Sequence, residues 1–164
     1  MITIRRKDWG ARYGAGTATA GGLKLVVVHH TAGPDLAPDV PLDREKLVVA
    51  GIETQHVKTN GWNGIGYNWL IFPSGRVYEG RGWRHQGAHT PKKNSTSVGI
   101  AFVMNSEGKE PTAAALQSCR DLLAVGVLAG HLAAGFEIKG HRDFDSTKCP
   151  GQKLYARLSE LETA

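Results

Sequence analysis

The chain has 164 residues, of which 41% are hydrophobic and 21% charged, a composition typical of a single soluble globular domain. A chain of this length buries roughly 70% of the surface that its unfolded form exposes, so folding requires no disulfide framework. The formal net charge of +5 predicts attraction to a polyanion. The basic residues form no long run and match no nucleic-acid-binding motif, so no nucleic-acid partner is predicted.

The sequence shows no membrane or export signal. None of its apolar runs approaches the ~20 residues of a membrane-spanning helix, and residues 1–8 lack the apolar core of a signal peptide. We therefore expect a cytoplasmic protein without membrane insertion. Its two cysteines, Cys119 and Cys149, are expected to be free thiols, because one pair makes no disulfide framework and no export signal is present.

Hydrophobic patterning predicts alternating strands and helices in the first two thirds of the chain. A continuous branched apolar run at residues 23–28 is typical of a fully buried strand. Residues 43–57 carry apolar side chains at three-to-four spacing and predict an amphipathic helix. The runs 66–72 and 76–79 flank a Pro-Ser-Gly turn and predict a β-hairpin, and residues 97–104 predict another strand.

The last third of the chain predicts two helices around a short strand. Residues 112–132 form the longest helical pattern, with Gly135 as its stop signal. Residues 136–139 predict a strand, and residues 151–162 repeat leucine at helical spacing. All these elements predict one α/β domain, residues 1–164, in which helices pack on a mostly buried central sheet.

Histidine and cysteine residues follow the predicted strand ends, where a rigid scaffold would hold them. His29 and His30 follow the first buried strand, and His141 follows the strand at residues 136–139. Because adjacent strand residues point to opposite faces, only one of His29 and His30 fits a shared site. Cys149 precedes Pro150, a residue favoured at the first helical position, which predicts a thiol at the amino end of the last helix.

Imidazole nitrogen and thiolate are typical zinc ligands, and a catalytic zinc keeps three protein ligands and one open position. The pattern therefore predicts a hydrolytic zinc site, although a structural role for each residue stays open. Cys119, on an apolar helix face, predicts a buried thiol. Two of the other histidines, His56 and His131, are expected on helix surfaces or in helix packing. His85 and His89 lie in a predicted loop, where they either bind substrate or are solvated.

Eight segments of the chain, in order, are similar to one known family. They are residues 7–12, 27–31, 66–71, 75–83, 87–89, 97–100, 140–143 and 149–151, and they include Val-Val-His-His-Thr and Cys-Pro-Gly. Together they resemble the peptidoglycan recognition protein and phage-type amidase-2 family over nearly the whole chain. The resemblance implies a mixed central β-sheet flanked by helices, with a zinc site in a groove on one face.

The activity that the resemblance implies is zinc-dependent N-acetylmuramoyl-L-alanine amidase activity, the cleavage of the amide between muramic acid and L-alanine of peptidoglycan. By position, the zinc ligands would be His29, His141 and Cys149, with His30 as a neighbour. Tyr67 matches the active-site tyrosine of the family. Some phage members of the family carry a lysine at the position of Thr147. Active recognition-protein amidases also carry a threonine there, so activity stays plausible, and the role of the next residue, Lys148, stays open.

The resemblance also implies substrate contacts. Trp62 and Arg81 match family residues that are associated with diaminopimelate-type stem peptides. The guanidinium of an arginine suits the extra carboxylate of diaminopimelate, and the tryptophan ring offers a flat surface to the stem or the sugar. His89 and Asn94 match groove residues, with solvated loop positions as the alternative. Gly64 stands where members often carry aspartate, so this loop departs from the family pattern. Of the nearby aspartates, Asp143 and Asp145 are expected to orient a ligand histidine or to pair with Arg142.

The absence of an export signal predicts a phage endolysin that stays in the host cytoplasm until a holin releases it to the wall. A monomer is expected, and whether a wall-binding domain is missing from the carboxyl end stays open. Two alternatives stay open. A non-catalytic wall-binding module is disfavoured by Cys149, which non-catalytic members commonly lack, and a protein-binding regulator would use the amino-terminal Arg5, Arg6 and Lys7.

Overall fold

The computed structural model describes residues 1–162, which form one six-stranded mixed sheet with helices on both faces. In chain order the elements are β1 (Ile2–Ile4), α1 (Arg6–Trp9), β2 (Leu23–His30), α2 (Leu42–Lys58), β3 (Trp69–Ile71), β4 (Arg76–Glu79), β5 (Val98–Phe102), α3 (Ala113–Leu128), β6 (Leu132–Gly140), a 3-10 turn (His141–Asp143), α4 (Gln152–Tyr155) and a second 3-10 turn (Leu158–Leu161). The predicted α/β class with a mixed central sheet is confirmed. No helix among these residues is long and apolar enough to cross a membrane.

The strand order across the sheet is β1-β4-β3-β5-β2-β6. Only β3 and β4 run antiparallel, as the predicted hairpin, and every other neighbouring pair is parallel. β2 lies next to the edge strand β6 and is fully buried at its carboxyl end, because parallel β5 and β6 flank it and helices cover both faces. The continuous apolar run of β2 follows from this double burial.

Alternation along β2 divides the core into two layers. Val26 and Val28 point to the face covered by α3, where they join Leu122, Leu123 and the carboxyl-terminal leucines. The opposite face packs against α2 through Val49, Phe72 and Tyr78. The two residues that follow Val28, His29 and His30, therefore also diverge to opposite faces.

The predicted long helix was wrong at its carboxyl end. α3 ends at Leu128 because Gly130, at φ 71°, turns the chain, and the amides of Gly130 and His131 donate to Val127 and Gly126 in the pattern of a glycine-terminated helix. Gly135 is not the stop signal. It lies inside β6, at φ 72°, in the stretch where the register with β2 shifts.

The chain termini also differ from the prediction. β1 and α1 were not predicted, because three and four residues are too few to show a period. The predicted last helix is interrupted: α4 has four residues, and a separate 3-10 turn carries Leu158 and Leu161. Pro150 is not the first residue of α4, since that helix begins at Gln152 after Gly151. The thiol of Cys149 therefore lies in a loop before the helix.

Candidate metal centre

The carboxyl ends of β2 and β6 bring two histidines together. The strands are parallel, with Val28 opposite Gly140, so the next residues, His29 and His141, leave the sheet at the same edge. Their ring centroids are 4.6 Å apart. Ligand sites in open parallel sheets form outside the carboxyl ends of strands, and these two imidazoles occupy such a position.

Cys149 reaches the same point from the loop that follows β6. The Arg142 amide donates to the Cys149 carbonyl at 2.9 Å, and the Gly151 amide donates to Lys148 at 2.8 Å, which closes the loop. The Cys149 Sγ accepts the backbone N–H of His30 at 3.4 Å. It lies 3.6 Å from Nδ1 of His29.

One donor atom each from His29, His141 and Cys149 lies within 4.8 Å of the other two, and this cluster forms the candidate metal centre. Two imidazoles and one thiol are borderline-soft ligands that suit Zn²⁺, and three protein ligands leave the fourth tetrahedral position open, as in catalytic zinc sites. The donor set therefore fits zinc. Cys119, on α3, is buried in the core, and both cysteines are free thiols.

A second hydrogen bond orients each imidazole of the centre. Nε2 of His29 lies 3.0 Å from Nδ1 of His89, and Nε2 of His141 lies 2.9 Å from the carboxylate of Asp145. In both rings Nδ1 is therefore the nitrogen available to a metal. Such contacts fix the tautomer and the ring direction of a ligand histidine.

Burial sets the protonation of these groups. It is the main reason why the pKa of His29 is lowered well below its usual value and why the pKa of His89 falls to about 3, with neighbouring positive groups adding to both. Both rings are neutral at pH 7, and neutral imidazole is the form that ligates metals. Burial also raises the pKa of the Cys149 thiol to about 11, against the lowering by the His30 N–H bond. The amino end of a helix, which was predicted to favour the thiolate, is therefore not the main influence on the pKa of Cys149. A bound cation would lower this pKa and favour the thiolate.

His30 does not join the cluster. Its Nδ1 accepts the Ser106 amide N–H at 3.2 Å on the other side of β2. The Ser106 hydroxyl in turn donates to the Pro150 carbonyl, so His30 and Ser106 hold the loop that carries Cys149. The alternation of β2 thereby assigns His29 to the centre and His30 to its support.

Tyr67 lies next to the centre. Its ring centroid is 5.4 Å from that of His29 and 5.4 Å from that of His56. Burial raises its pKa well above the usual value of 10.0, so the phenol stays protonated at neutral pH. Thr147, on the Cys149 loop, accepts the Cys149 amide at 3.2 Å through its hydroxyl oxygen, which leaves its O–H free to donate.

The other predicted site residues have different surroundings. Trp62 packs its ring 4.8 Å from the ring of His56 and is partly exposed. Arg81 is only 7% exposed, and its guanidinium donates to the carbonyl oxygens of Ile65 and Gln86 at 2.7 and 2.8 Å. These two bonds use two of its five N–H donors.

His89 and Asn94 lie behind the centre. His89 is 6% exposed, and its polar side-chain contacts are with His29 and Thr90. The Asn94 side-chain oxygen accepts the amides of His89 and Thr90 at 2.8 and 2.9 Å. Contact of these two residues with substrate stays a prediction, and the bonds that they make here support His29.

Sequence reasoning missed two residues of the site, Thr90 and Ser106, and left the role of His56 open. His56 accepts the Gly66 amide at 2.9 Å through Nδ1 and lines a cavity of about 350 Å³ beside α2, together with Tyr67 and Gln55. The position of His56 on the apolar stripe of the predicted helix was a usable signal. Thr90 and Ser106 offered none, because their partners are 61 and 76 residues away in the sequence.

One known protein family matches most of this chain. The model described as N-acetylmuramoyl-L-alanine amidase, Amidase_2, matches residues 19–152. The chain belongs to the amidase-2 family. Peptidoglycan-recognition protein SC2 of Drosophila melanogaster is 37% identical over 159 residues, which are 96% of this chain and 85% of the relative. Peptidoglycan recognition protein 1 of Bos taurus is 40% identical over 139 residues, which are 84% and 72% of the two chains.

Solved structures of amidase-2 relatives share the fold. Drosophila PGRP-LB superposes with a TM-score of 0.90 at 32% identity, covering 96% of this chain and 92% of that one. Peptidoglycan recognition protein-LE, solved in complex with tracheal cytotoxin, a monomeric diaminopimelic acid-type peptidoglycan, gives a TM-score of 0.90 at 34% identity, with coverage of 96% and 92%. The family and the fold implied by the sequence motifs are confirmed.

The predicted localisation is wrong. The relatives are peptidoglycan-recognition proteins of insects and cattle, which contradicts an endolysin held in a bacterial host cytoplasm until a holin releases it. The localisation had depended on the absence of an apolar leader in residues 1–8 alone. A missing sequence signal is weaker information than homology over most of the chain.

Proposed function

We propose that this chain is a zinc-dependent N-acetylmuramoyl-L-alanine amidase, which hydrolyses the amide between the lactyl group of muramic acid and L-alanine of the peptidoglycan stem. The observation that carries the proposal is the convergence of His29, His141 and Cys149, with donor atoms within 4.8 Å of one another. A recognition module that only binds peptidoglycan has no use for a metal-ligating thiol at this position. We further propose that residues 1–164 act as a single amidase domain.

In the proposed mechanism, His29 and His141 each present Nδ1, and Cys149 presents its sulfur, to the metal. When bound, zinc supplies Lewis-acid polarisation of the scissile carbonyl and lowers the pKa of a coordinated water towards ~7. His89 and Asp145 keep the two imidazoles in the tautomer that this ligation requires. The His30 N–H holds the sulfur in place.

Two hydroxyl groups next to the centre can stabilise the transition state. The Tyr67 phenol stays protonated because burial raises its pKa, so it can donate a hydrogen bond to an oxygen that gains negative charge. Thr147 can donate a second, neutral bond, which is weaker than a charged one by about twofold. Aromatic contacts with His29 and His56 hold the Tyr67 ring before substrate arrives, whereas exposed Thr147 is held only through the bond from the Cys149 amide to its hydroxyl oxygen.

We propose a diaminopimelate-type stem as the preferred substrate. A family member with 34% identity was solved with such a fragment, which supports this choice. Trp62 offers a partly exposed ring beside Tyr67 and His56, and Arg81 keeps three N–H donors beyond its two backbone bonds. An extra carboxylate on the stem suits such an arginine.

The deciding experiment incubates the purified protein, loaded with zinc or treated with a chelator, with peptidoglycan and identifies the products by mass spectrometry. Peptides with a free amino-terminal L-alanine are expected only in the zinc-loaded sample. Cys149→Ser should abolish their release, whereas Cys119→Ala, a thiol lost in the core away from the centre, should leave it. Diaminopimelate-type walls should be cleaved faster than lysine-type walls.

The alternative function, a wall-binding module without activity, gives a different result. It would bind peptidoglycan equally well with and without chelator and release no products. New reducing sugar ends would indicate cleavage of the glycan instead and would also overturn the amidase proposal.

A further inference from the structure

His29 can ligate a metal through Nδ1 only if its other nitrogen, Nε2, carries the proton. That N–H is enclosed, since His29 is 2% exposed, and it needs an acceptor inside the protein. The Nδ1 of His89 lies 3.0 Å away, closer than the Thr90 hydroxyl at 3.4 Å. The acceptor is therefore a second neutral histidine rather than the carboxylate or carbonyl that usually fills this role.

We propose that His89 is a positioning residue of the metal centre. Its Nδ1 accepts the N–H of His29 Nε2 and thereby fixes the lone pair of His29 Nδ1 towards the metal. This inference rests on the proposed zinc function and deepens it, because it gives His89 a role in orienting a metal ligand that is separate from its predicted contact with substrate.

The ring of His89 lies in a narrow space against Gly87 and Gly99. A Cβ added at Gly87 or at Gly99 would lie 2.3 Å from its Cδ2 atom, so both glycines are needed for the ring to fit. Asn94 fixes the backbone by accepting the amides of His89 and Thr90. The packing of β5 and of the loop before it thus sets the position and plane of the ring, and the 3.0 Å contact with His29 Nε2 identifies Nδ1 as the nitrogen that faces it.

The remaining nitrogen of His89 makes no competing contact. Its Nε2 is buried and has no hydrogen-bond partner within residues 1–162. Because Nε2 has neither protein partner nor exposure, the useful polar atom of this imidazole is Nδ1.

Three substitutions separate the hydrogen bond from the packing. Asn in place of His89 puts an amide oxygen where Nδ1 was, so His89→Asn keeps an acceptor for His29. His89→Gln reaches instead to the position of Nε2, and His89→Leu keeps volume without any acceptor. His131→Asn, a histidine that stacks on Trp83 away from the centre, serves as the control.

The assay measures the zinc dissociation constant by competition with a chromophoric chelator, with the fold of each apo variant checked by circular dichroism. We expect His89→Leu and His89→Gln to weaken zinc binding about 10–100-fold, and His89→Asn to stay within about threefold of wild type. If His89→Leu fails to fold, the Asn and Gln pair decides.

Equal zinc affinity in all the variants, or an Asn variant no better than the Gln variant, would overturn the role of His89 while leaving the amidase proposal intact. If the wild-type protein binds no zinc and Cys149→Ser changes nothing, both proposals fail together.

Discussion

The contact between Asp145 and His141 gives the sharpest test of how the centre is held. The carboxylate accepts His141 Nε2 at 2.9 Å, so removing it with Asp145→Ala takes away the group that keeps Nδ1 directed at the metal. Asp145→Asn keeps an acceptor but not its charge. Asp39→Ala, at an exposed position, matches the change in net charge and serves as the control.

The size of the effect follows from the exposure of the pair. A hydrogen bond to a charged group contributes about 1.5–3 kcal/mol when it is well protected. The side chains of His141 and Asp145 are 20% and 37% exposed, so water replaces part of the lost bond. We therefore take about 1–1.5 kcal/mol as the contribution of this bond to zinc binding. Because about 1.4 kcal/mol corresponds to a tenfold change in a dissociation constant, its loss should weaken zinc binding roughly 5–10-fold.

The assay is zinc competition at fixed pH, followed by hydrolysis of peptidoglycan at rising zinc concentration. We expect Asp145→Ala to bind zinc roughly 5–10-fold more weakly and Asp145→Asn to lie between it and wild type. Excess zinc should restore much of the hydrolysis rate of Asp145→Ala, since the ligands themselves are intact. A dissociation constant for Asp145→Ala within twofold of the Asp39→Ala control would refute the proposed support by Asp145.

Three further predictions test other groups. Tyr67→Phe should lower kcat about 100-fold with KM and zinc affinity unchanged, because it removes one preorganised donor; an unchanged kcat in steady-state kinetics would exclude that role. Glu45 is fully buried against Arg76 (3.0 Å) and the Tyr78 hydroxyl (2.9 Å), so Glu45→Ala should reduce the free energy of unfolding by about 3–5 kcal/mol in urea titrations, and a loss below about 1 kcal/mol would contradict this. Burial, with a smaller effect of Arg81, lowers the pKa of His56 from 6.5 to about 4 in the folded protein. Between those values the unfolded chain binds the proton and the folded chain does not, so stability falls as the pH falls. With chelator present, the free energy of unfolding should fall between pH 7 and pH 5 by about 1–2 kcal/mol less in His56→Asn than in wild type. An identical pH dependence of the free energy of unfolding in the two proteins would argue against this.

The pattern of β2 predicted that only one of His29 and His30 fits a shared site, because strand geometry is local, and the family resemblance then selected His29. Two adjacent histidines at the end of a strand must diverge, and the parallel neighbour β6 must deliver His141 to the same edge. The motif around Cys149 then supplied the third ligand by family resemblance. The geometry places these three donor atoms together, as the resemblance implied.

Boundaries of elements were less predictable because competing signals lie close together in the sequence. Gly130 and Gly135 are both plausible stops for α3, and only the hydrogen bonds of Gly130 and His131 decide between them. β6 begins two residues later, so apolar residues of the strand extended the apparent helical pattern. The four-residue α1 has no period that a sequence can display.

Asp145 lies four residues from His141, and the sequence predicted that it would orient a ligand histidine. The other contacts that support the ligands could not be predicted from the sequence, because each joins residues that are distant along the chain. His29 meets His89 across 60 residues, and His30 meets Ser106 across 76. These bonds exist only because β5 lies directly beside β2, which brings the segments before and after β5 against the two faces of β2. The pairing of β2 with β6 aligns the ligand strands, and the pairing of β2 with β5 supplies their supports. The segment before β5 carries His89 to the face of His29, and the segment after it carries Ser106 to the face of His30.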